Sequence, residues 1–219
     1  FKTTELIAGE YELRVEKKGY EALEMTFAIN EGDTLIISDT LYTIMSLAYG
    51  EFELAKKYYY GDSITPQDYD KAFEVFYNIR DNEIPEVYYY IAECYYYGNG
   101  VAQDYEQSVE WHTKAAEADV AESQYVLANC YFNAIGVEED KSEAVKWYRK
   151  AAEQDVVEAQ NILANCYYNG DGVSQNYAEA VKWWKKAAEQ GDANAQYNLG
   201  ACYENGWGVS KDITEAIKW

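Results

Sequence analysis

Proline is nearly missing from this sequence, with 2 residues in 219. Proline breaks helix interiors, so its scarcity leaves room for many uninterrupted helices. Histidine is scarcer still: His112 stands alone, which gives little material for a histidine-rich metal centre. No apolar run approaches the roughly 20 residues that cross a bilayer, so no membrane span is expected within the chain. Basic residues are also few, 18 against 39 acidic ones, for a net charge of −21. The deficit runs through both parts of the chain, 4 against 9 in residues 1–41 and 14 against 30 in 42–219. Such a surface argues against binding a nucleic-acid backbone. It suits a basic partner, although a solvated acidic surface is the simpler reading. The chain starts at Phe1 without methionine and stops at Trp219 inside an expected helix, so residues missing from both ends are expected.

What is abundant is tyrosine, 24 residues, and a period. Cys94, Cys130, Cys166 and Cys202 are 36 residues apart, as are Trp111, Trp147, Trp183 and Trp219. Gly-Val pairs recur at 100–101, 136–137, 172–173 and 208–209. Three unlike residue types on one period mark a repeat array in which each unit touches mainly its neighbours.

One unit, 158–189, shows how the repeat folds. Ala159, Leu163, Ala164 and Tyr167 form a helical stripe, which Gly170 and Gly172 end. Tyr177, Ala180, Val181, Trp184, Ala187 and Ala188 form a second stripe, and 190–192 link to the next unit. Each unit is thus a pair of antiparallel helices. Small residues (Ala144, Ala180, Ala216) alternate with large ones (Tyr95, Tyr131, Tyr167, Tyr203 and the tryptophans), as interlocking helix layers require. On this pattern Tyr131 points into the core.

Little of this reads as chemistry. The cysteines are too far apart in a stack to bridge and lack the close spacing of metal ligands, so four buried free thiols are expected. The turns "GNGV", "GDGV" and "GWGV" follow helices, whereas a phosphate loop follows a strand and carries a lysine. His112 occupies the repeat position of Tyr148 and Trp184, a packing column, with no nucleophile assignable to it. Glu138, Glu139 and Asp140 read as a solvated loop, with Asp140 a candidate helix cap. No catalytic residue, metal or cofactor is expected, and the chain is read as non-enzymatic.

The stretch "AQYNLGACYENGWGVSKDITEAIKW" at 195–219 resembles the Sel-one-like repeat, a relative of the tetratricopeptide repeat, as do 159–191, 123–155 and 87–118. A degenerate first unit at 47–80 keeps Tyr60-Gly61 and Asp68-Tyr69 but lacks the tryptophan and the double alanine. The resemblance implies a mainly α protein: a right-handed solenoid of about five helix-turn-helix repeats over 42–219. Residues 1–41 are expected to be β-rich, from alternating runs at 11–17 and 24–29, a third β-prone run at 34–38, and turns at "KKGY" and "NEGD". They resemble the C-terminal half of a PEGA domain, which implies a partial β-sandwich.

In tetratricopeptide-like stacks the first helices line a concave groove. Carried onto this sequence, that implies four columns. The first is Phe52, Tyr89, Tyr125, Asn161 and Tyr197; the second is Lys56, Glu93, Asn129, Asn165 and Ala201. The third is Tyr59, Tyr96, Phe132, Tyr168 and Glu204, and the fourth Tyr60, Tyr97, Asn133, Asn169 and Asn205. The third column is expected to form a continuous aromatic ladder. Aromatic rings give contact area at low entropy cost and amides pair with peptide backbone. The resemblance therefore implies a bacterial interaction scaffold, cytoplasmic or envelope-associated, that binds a protein or peptide. A saccharide-binding module, or the regulatory subunit of an enzyme whose catalytic part lies elsewhere, are the alternatives.

Overall fold

The structure, a computed structural model, describes residues 9–15, 23–29 and 37–219, with side chains from Ala48 onward. The chain divides into two compact units, Phe1–Tyr49 and Gly50–Trp219. In the first, β1 (Gly9–Val15) and β2 (Leu23–Ile29) pair antiparallel, with Tyr11 opposite Phe27 and Leu13 opposite Met25. Among the described residues this is a two-stranded ribbon and not a half-sandwich. The third expected run is corrected: Ile37 and Ser38 open helix α1 (Ile37–Tyr60), and 34–36 lie outside the described residues, as do both expected turns.

In the second unit, the end of α1 from Gly50 onward and α2 (Tyr69–Asn78) are followed by four further pairs: α3 (Pro85–Tyr97) and α4 (Tyr105–Glu117), α5 (Ala121–Asn133) and α6 (Lys141–Glu153), α7 (Val157–Asn169) and α8 (Tyr177–Glu189), α9 (Ala193–Asn205) and α10 (Ile213–Lys218). The protein is thus a mainly helical repeat solenoid. Neither proline interrupts a helix: Pro66 lies in the turn after α1, and Pro85 opens α3, where the missing N–H is not needed. Second helices start at a side-chain cap. Asp68, Asp104, Asp140, Asn176 and Asp212 each accept from a backbone N–H in the first turn.

The turn inside each pair fastens one unit to the one before. The α7 helix closes at Gly170, in the left-handed region, whose N–H bonds the Cys166 carbonyl. Two residues on, Gly172 (φ +68) rests on the backbone of Lys141 at the start of α6, so close that a Cβ would overlap it. The same approach recurs between Gly100 and Tyr69, Gly136 and Tyr105, and Gly208 and Tyr177. The second glycine of the turn is therefore a stacking contact.

Leu127, Leu163, Leu199 and the alanine pairs of α4, α6 and α8 fill the core. The tryptophans of α4, α6 and α8 are buried, with Lys114, Lys150 and Lys186 over their rings at 3.9, 4.0 and 4.7 Å. All four cysteines are buried and free. Tyr131 differs from expectation: like Tyr95 and Tyr203 it is half-buried, and of this column only Tyr167 is buried. These rings lie over the core's edge, beside the turn whose backbone bonds their own carbonyls.

Candidate functional site

The first helices carry the groove columns at very different depths. Tyr60, Tyr97, Asn133, Asn169 and Tyr197 are exposed. Tyr89, Glu93, Tyr96, Tyr125, Asn129, Phe132, Asn165 and Tyr168 are half-buried. Tyr59 is buried, with its ring edge-on to Tyr60, Tyr69 and Tyr90 at 5.1–5.5 Å. It packs the first pair and offers little to a ligand.

The expected continuous aromatic ladder is absent. Tyr96 packs on Tyr105 at 5.2 Å, Phe132 on Tyr148 at 6.1 Å, and Tyr168 on Tyr177, Trp184 and Trp207 at 5.1, 5.4 and 5.6 Å. Among the described residues no ring contact joins Tyr96 to Phe132 or Phe132 to Tyr168. Tyr96 and Phe132 lean on the second helix of their own unit, and Tyr168 on its own second helix and on Trp207 in the turn of the next unit; equivalent positions on successive first helices are a helix spacing of about 8–10 Å apart.

Amides fill the interval. Between α5 and α7 lies a cavity of about 380 Å³ lined by Asn129, Phe132, Asn133, Ile162, Asn165, Cys166 and Asn169, with Tyr148 and Asp171. Five of these come from the expected columns. Tyr148, beneath them, donates its hydroxyl to Asn129 Oδ1 at 2.6 Å. Asn133 is turned back to the Asn129 carbonyl (2.9 Å), and Asn169 donates to Asp171 (3.2 Å). Lys141 sits 5.1 Å over the Phe132 ring and 3.7 Å from Asp171. Asn165 is the exception: among the described residues its side-chain amide has no hydrogen-bond partner, and it lines the cavity.

Toward α3 the face of the first helices changes character. Glu93 stands where the next two units have Asn129 and Asn165. Its side chain is 15% exposed, and burial pushes its carboxyl above the usual range while Tyr89 favours its charge. Behind it His112 is fully buried, with Nδ1 3.2 Å from Ser123 Oγ and Nε2 3.7 Å from Glu93. This line of serine, histidine and glutamate is not an active site: Ser123 is 0% exposed, so no substrate reaches it. Burial lowers the His112 pKa to about 3, so the ring is neutral and packs as its repeat position implies. Burial likewise raises the thiols, Cys94 and Cys166 to about 12, Cys130 and Cys202 to about 11.

Among the described residues no group of three or more His, Cys, Asp or Glu is placed to hold a metal ion, and no helix is long and apolar enough to cross a membrane. The residues that reading by sequence missed are Tyr148, Ile162 and Asp171 in the cavity, and a glutamine series of which Gln124 and Gln160 are buried. Gln124, Gln160 and Gln196 donate to the carbonyls of Ala116, Ala152 and Ala188 at the end of the preceding helix. Gln154 and Gln190 then donate to Gln124 and Gln160 of their own pair at 3.0 and 2.9 Å, bracing the bonds to the alanine carbonyls that tie unit to unit. Their 36-residue spacing was the available signal.

The Sel1 repeat family matches residues 48–74, 85–120, 121–156, 157–192 and 193–219. Among solved structures, a protective antigen present in uropathogenic Escherichia coli strains, described as displaying an SLR fold, is 33% identical with a TM-score of 0.75; the match covers 80% of this chain and 37% of that one. A Sel1 repeat protein from Oxalobacter formigenes is 24% identical with a TM-score of 0.74, over 84% of this chain and 74% of that one. This chain therefore spans little more than a third of the first protein's length. No curated protein matches it. The family matches begin at residue 48 and lend the likeness of the N-terminal segment to a PEGA domain no support.

Proposed function

The chain belongs to the Sel1 repeat family, and from that footing we propose that it is a non-enzymatic scaffold whose first helices bind an extended peptide or protein segment. Sel1 repeat proteins are in general protein–protein interaction scaffolds. The observation that carries the reading here is the cavity between α5 and α7, where Asn165 presents an unpartnered amide beside the Phe132 ring. An amide both donates and accepts, and so matches the alternating groups of a peptide backbone. The ring supplies apolar area that changes shape little on binding. Neighbouring amides are already held by Tyr148 and Asp171, so the cavity is preorganised.

The test is selection of binders from a random peptide library on the whole chain, repeated with Asn165→Ala. Binders that lose roughly tenfold in affinity, while the melting temperature stays put, support the reading; a lost side-chain hydrogen bond is worth about that much. Failure to select any peptide, or equal binding by the variant, refutes it.

A further inference from the structure

Glu93 breaks the repeat in a way that packing does not ask for. The fold accepts asparagine at this position twice, at Asn129 and Asn165. In the α5–α6 pair the amide takes a hydrogen bond from Tyr148. In the α3–α4 pair the equivalent of Tyr148 is His112, whose Nε2 is buried, has no hydrogen-bond partner and stands 3.7 Å from Glu93, beyond hydrogen-bonding range. A carboxylate here thus loses solvation and lacks the bond that the second helix supplies next door, keeping only the side-chain hydrogen bond of Tyr89. It gains no cation either: among the described residues no lysine or arginine pairs with it, and His112 is neutral.

Its surroundings are tyrosine. Tyr89 favours the charge of Glu93, and Glu93 is the largest influence on Tyr97. Tyr60 and Glu122 both act on Tyr89 from the neighbouring helices, and Glu122 too has no lysine or arginine partner among the described residues. Tyr60 and Tyr97 are 61% and 59% exposed, so both rings reach solvent. Ring faces attract a cation, more strongly where solvent is partly excluded, and a half-buried carboxylate supplies the counter-charge.

We propose that Glu93, with Tyr60, Tyr89 and Tyr97 around it, is a subsite for a lysine or arginine side chain of the bound segment. The proposal rests on the groove reading above and adds the chemistry of one anchor: a basic residue set at the α3 end, with the backbone running on toward the α5–α7 cavity. The chain's net charge of −21 favours the same partner.

Two measurements separate this subsite from the groove as a whole. The first titrates the whole chain with Nα-acetyl-lysine amide and with Nα-acetyl-norleucine amide, the same shape without the charge, and follows backbone amide shifts. The lysine compound is expected to bind about fivefold or more tightly, with saturable shifts at Glu93 and Tyr97 that weaken with salt. Glu93→Gln, isosteric and akin to the asparagines the repeat already carries, is expected to erase the difference with the melting temperature unchanged or raised. Equal binding of the two compounds, or a preference that survives Glu93→Gln, overturns the subsite. The second is the peptide library again. Binders enriched in lysine or arginine at one position on the wild type but not on Glu93→Gln support the subsite. Asn165-dependent binders with no such enrichment overturn it and leave the groove standing.

Discussion

Gly170 and Gly172 lie two residues apart in one turn, share a left-handed backbone at φ +81 and +68, and differ in what surrounds them. Alanine in that conformation costs about 1–2 kcal/mol, offset by about 0.4–1 kcal/mol from a stiffer unfolded chain. At Gly170 a Cβ meets nothing nearer than Gln175 Cβ at 3.4 Å, an ordinary contact. The preceding unit already has Ala134 there, at φ 56. Gly170→Ala should therefore cost about 1 kcal/mol. At Gly172 the new Cβ lies 2.9 Å from Lys141 Cβ and closer still to the Lys141 carbonyl. Backbone cannot swing aside as a side-chain tip can, so the turn must withdraw from α6 and loosen the contact between units. Overpacking of this kind adds about 2–3 kcal/mol, for a total of about 3–4 kcal/mol. Urea unfolding followed by far-UV circular dichroism reads both variants. Because neighbouring units couple in a line, Gly172→Ala should also broaden the transition as the C-terminal units unfold first. Equal losses in the two variants, or the larger loss at Gly170, would refute the stacking role of the second glycine.

Three further outcomes follow from the buried groups. The four thiols, raised to about 11–12 by burial, should react with a thiol reagent at pH 8 only after denaturation; rapid labelling of the native protein contradicts their placement. His112 is held near 3 against an ordinary 6.5, so on acidification the unfolded chain takes the proton first and stability falls below about pH 6.5. At about 1.4 kcal/mol per pH unit, roughly 2 kcal/mol of the His112 contribution is gone by pH 5. Glu93, raised by burial, acts in the opposite sense at lower pH, so the comparison is with His112→Tyr, the residue of the next unit; equal pH slopes for the two proteins would refute it. Tyr148→Phe removes the 2.6 Å bond to Asn129 and should cost about 1 kcal/mol, and an unchanged urea midpoint would show that bond to be idle.

The helix pairs were legible because three unlike residues kept one period, and that period survives in the caps, the turns and the glycine contacts. Asp140 could be named as a cap because its chemistry is local. Depth was harder to read. Tyr59 and Tyr96 share a column, yet one is buried and the other half-buried, because Tyr59 is enclosed by Tyr60, Tyr69 and Phe76 of its own atypical unit and by Tyr90 of the next. Tyr131 and Tyr167 diverge for a similar reason: Arg149 reaches the Tyr167 hydroxyl and covers its ring, whereas no such contact forms at Tyr131. The aromatic ladder failed on distance, since equivalent residues on stacked helices sit a helix diameter apart. Buried Gln124 and Gln160 escaped notice because glutamine usually reads as surface, and only their recurrence marks them as links between units.

The claim that the first helices form the binding groove is tested most directly by mapping a library-selected peptide onto the chain through its backbone amide shifts. The account predicts a continuous set of perturbed residues on α3, α5 and α7, centred on Phe132, Asn165 and Asn169, with Trp111, Trp147 and Trp183 on the second helices unmoved. A footprint centred on those tryptophans and the lysines that cover them would contradict it.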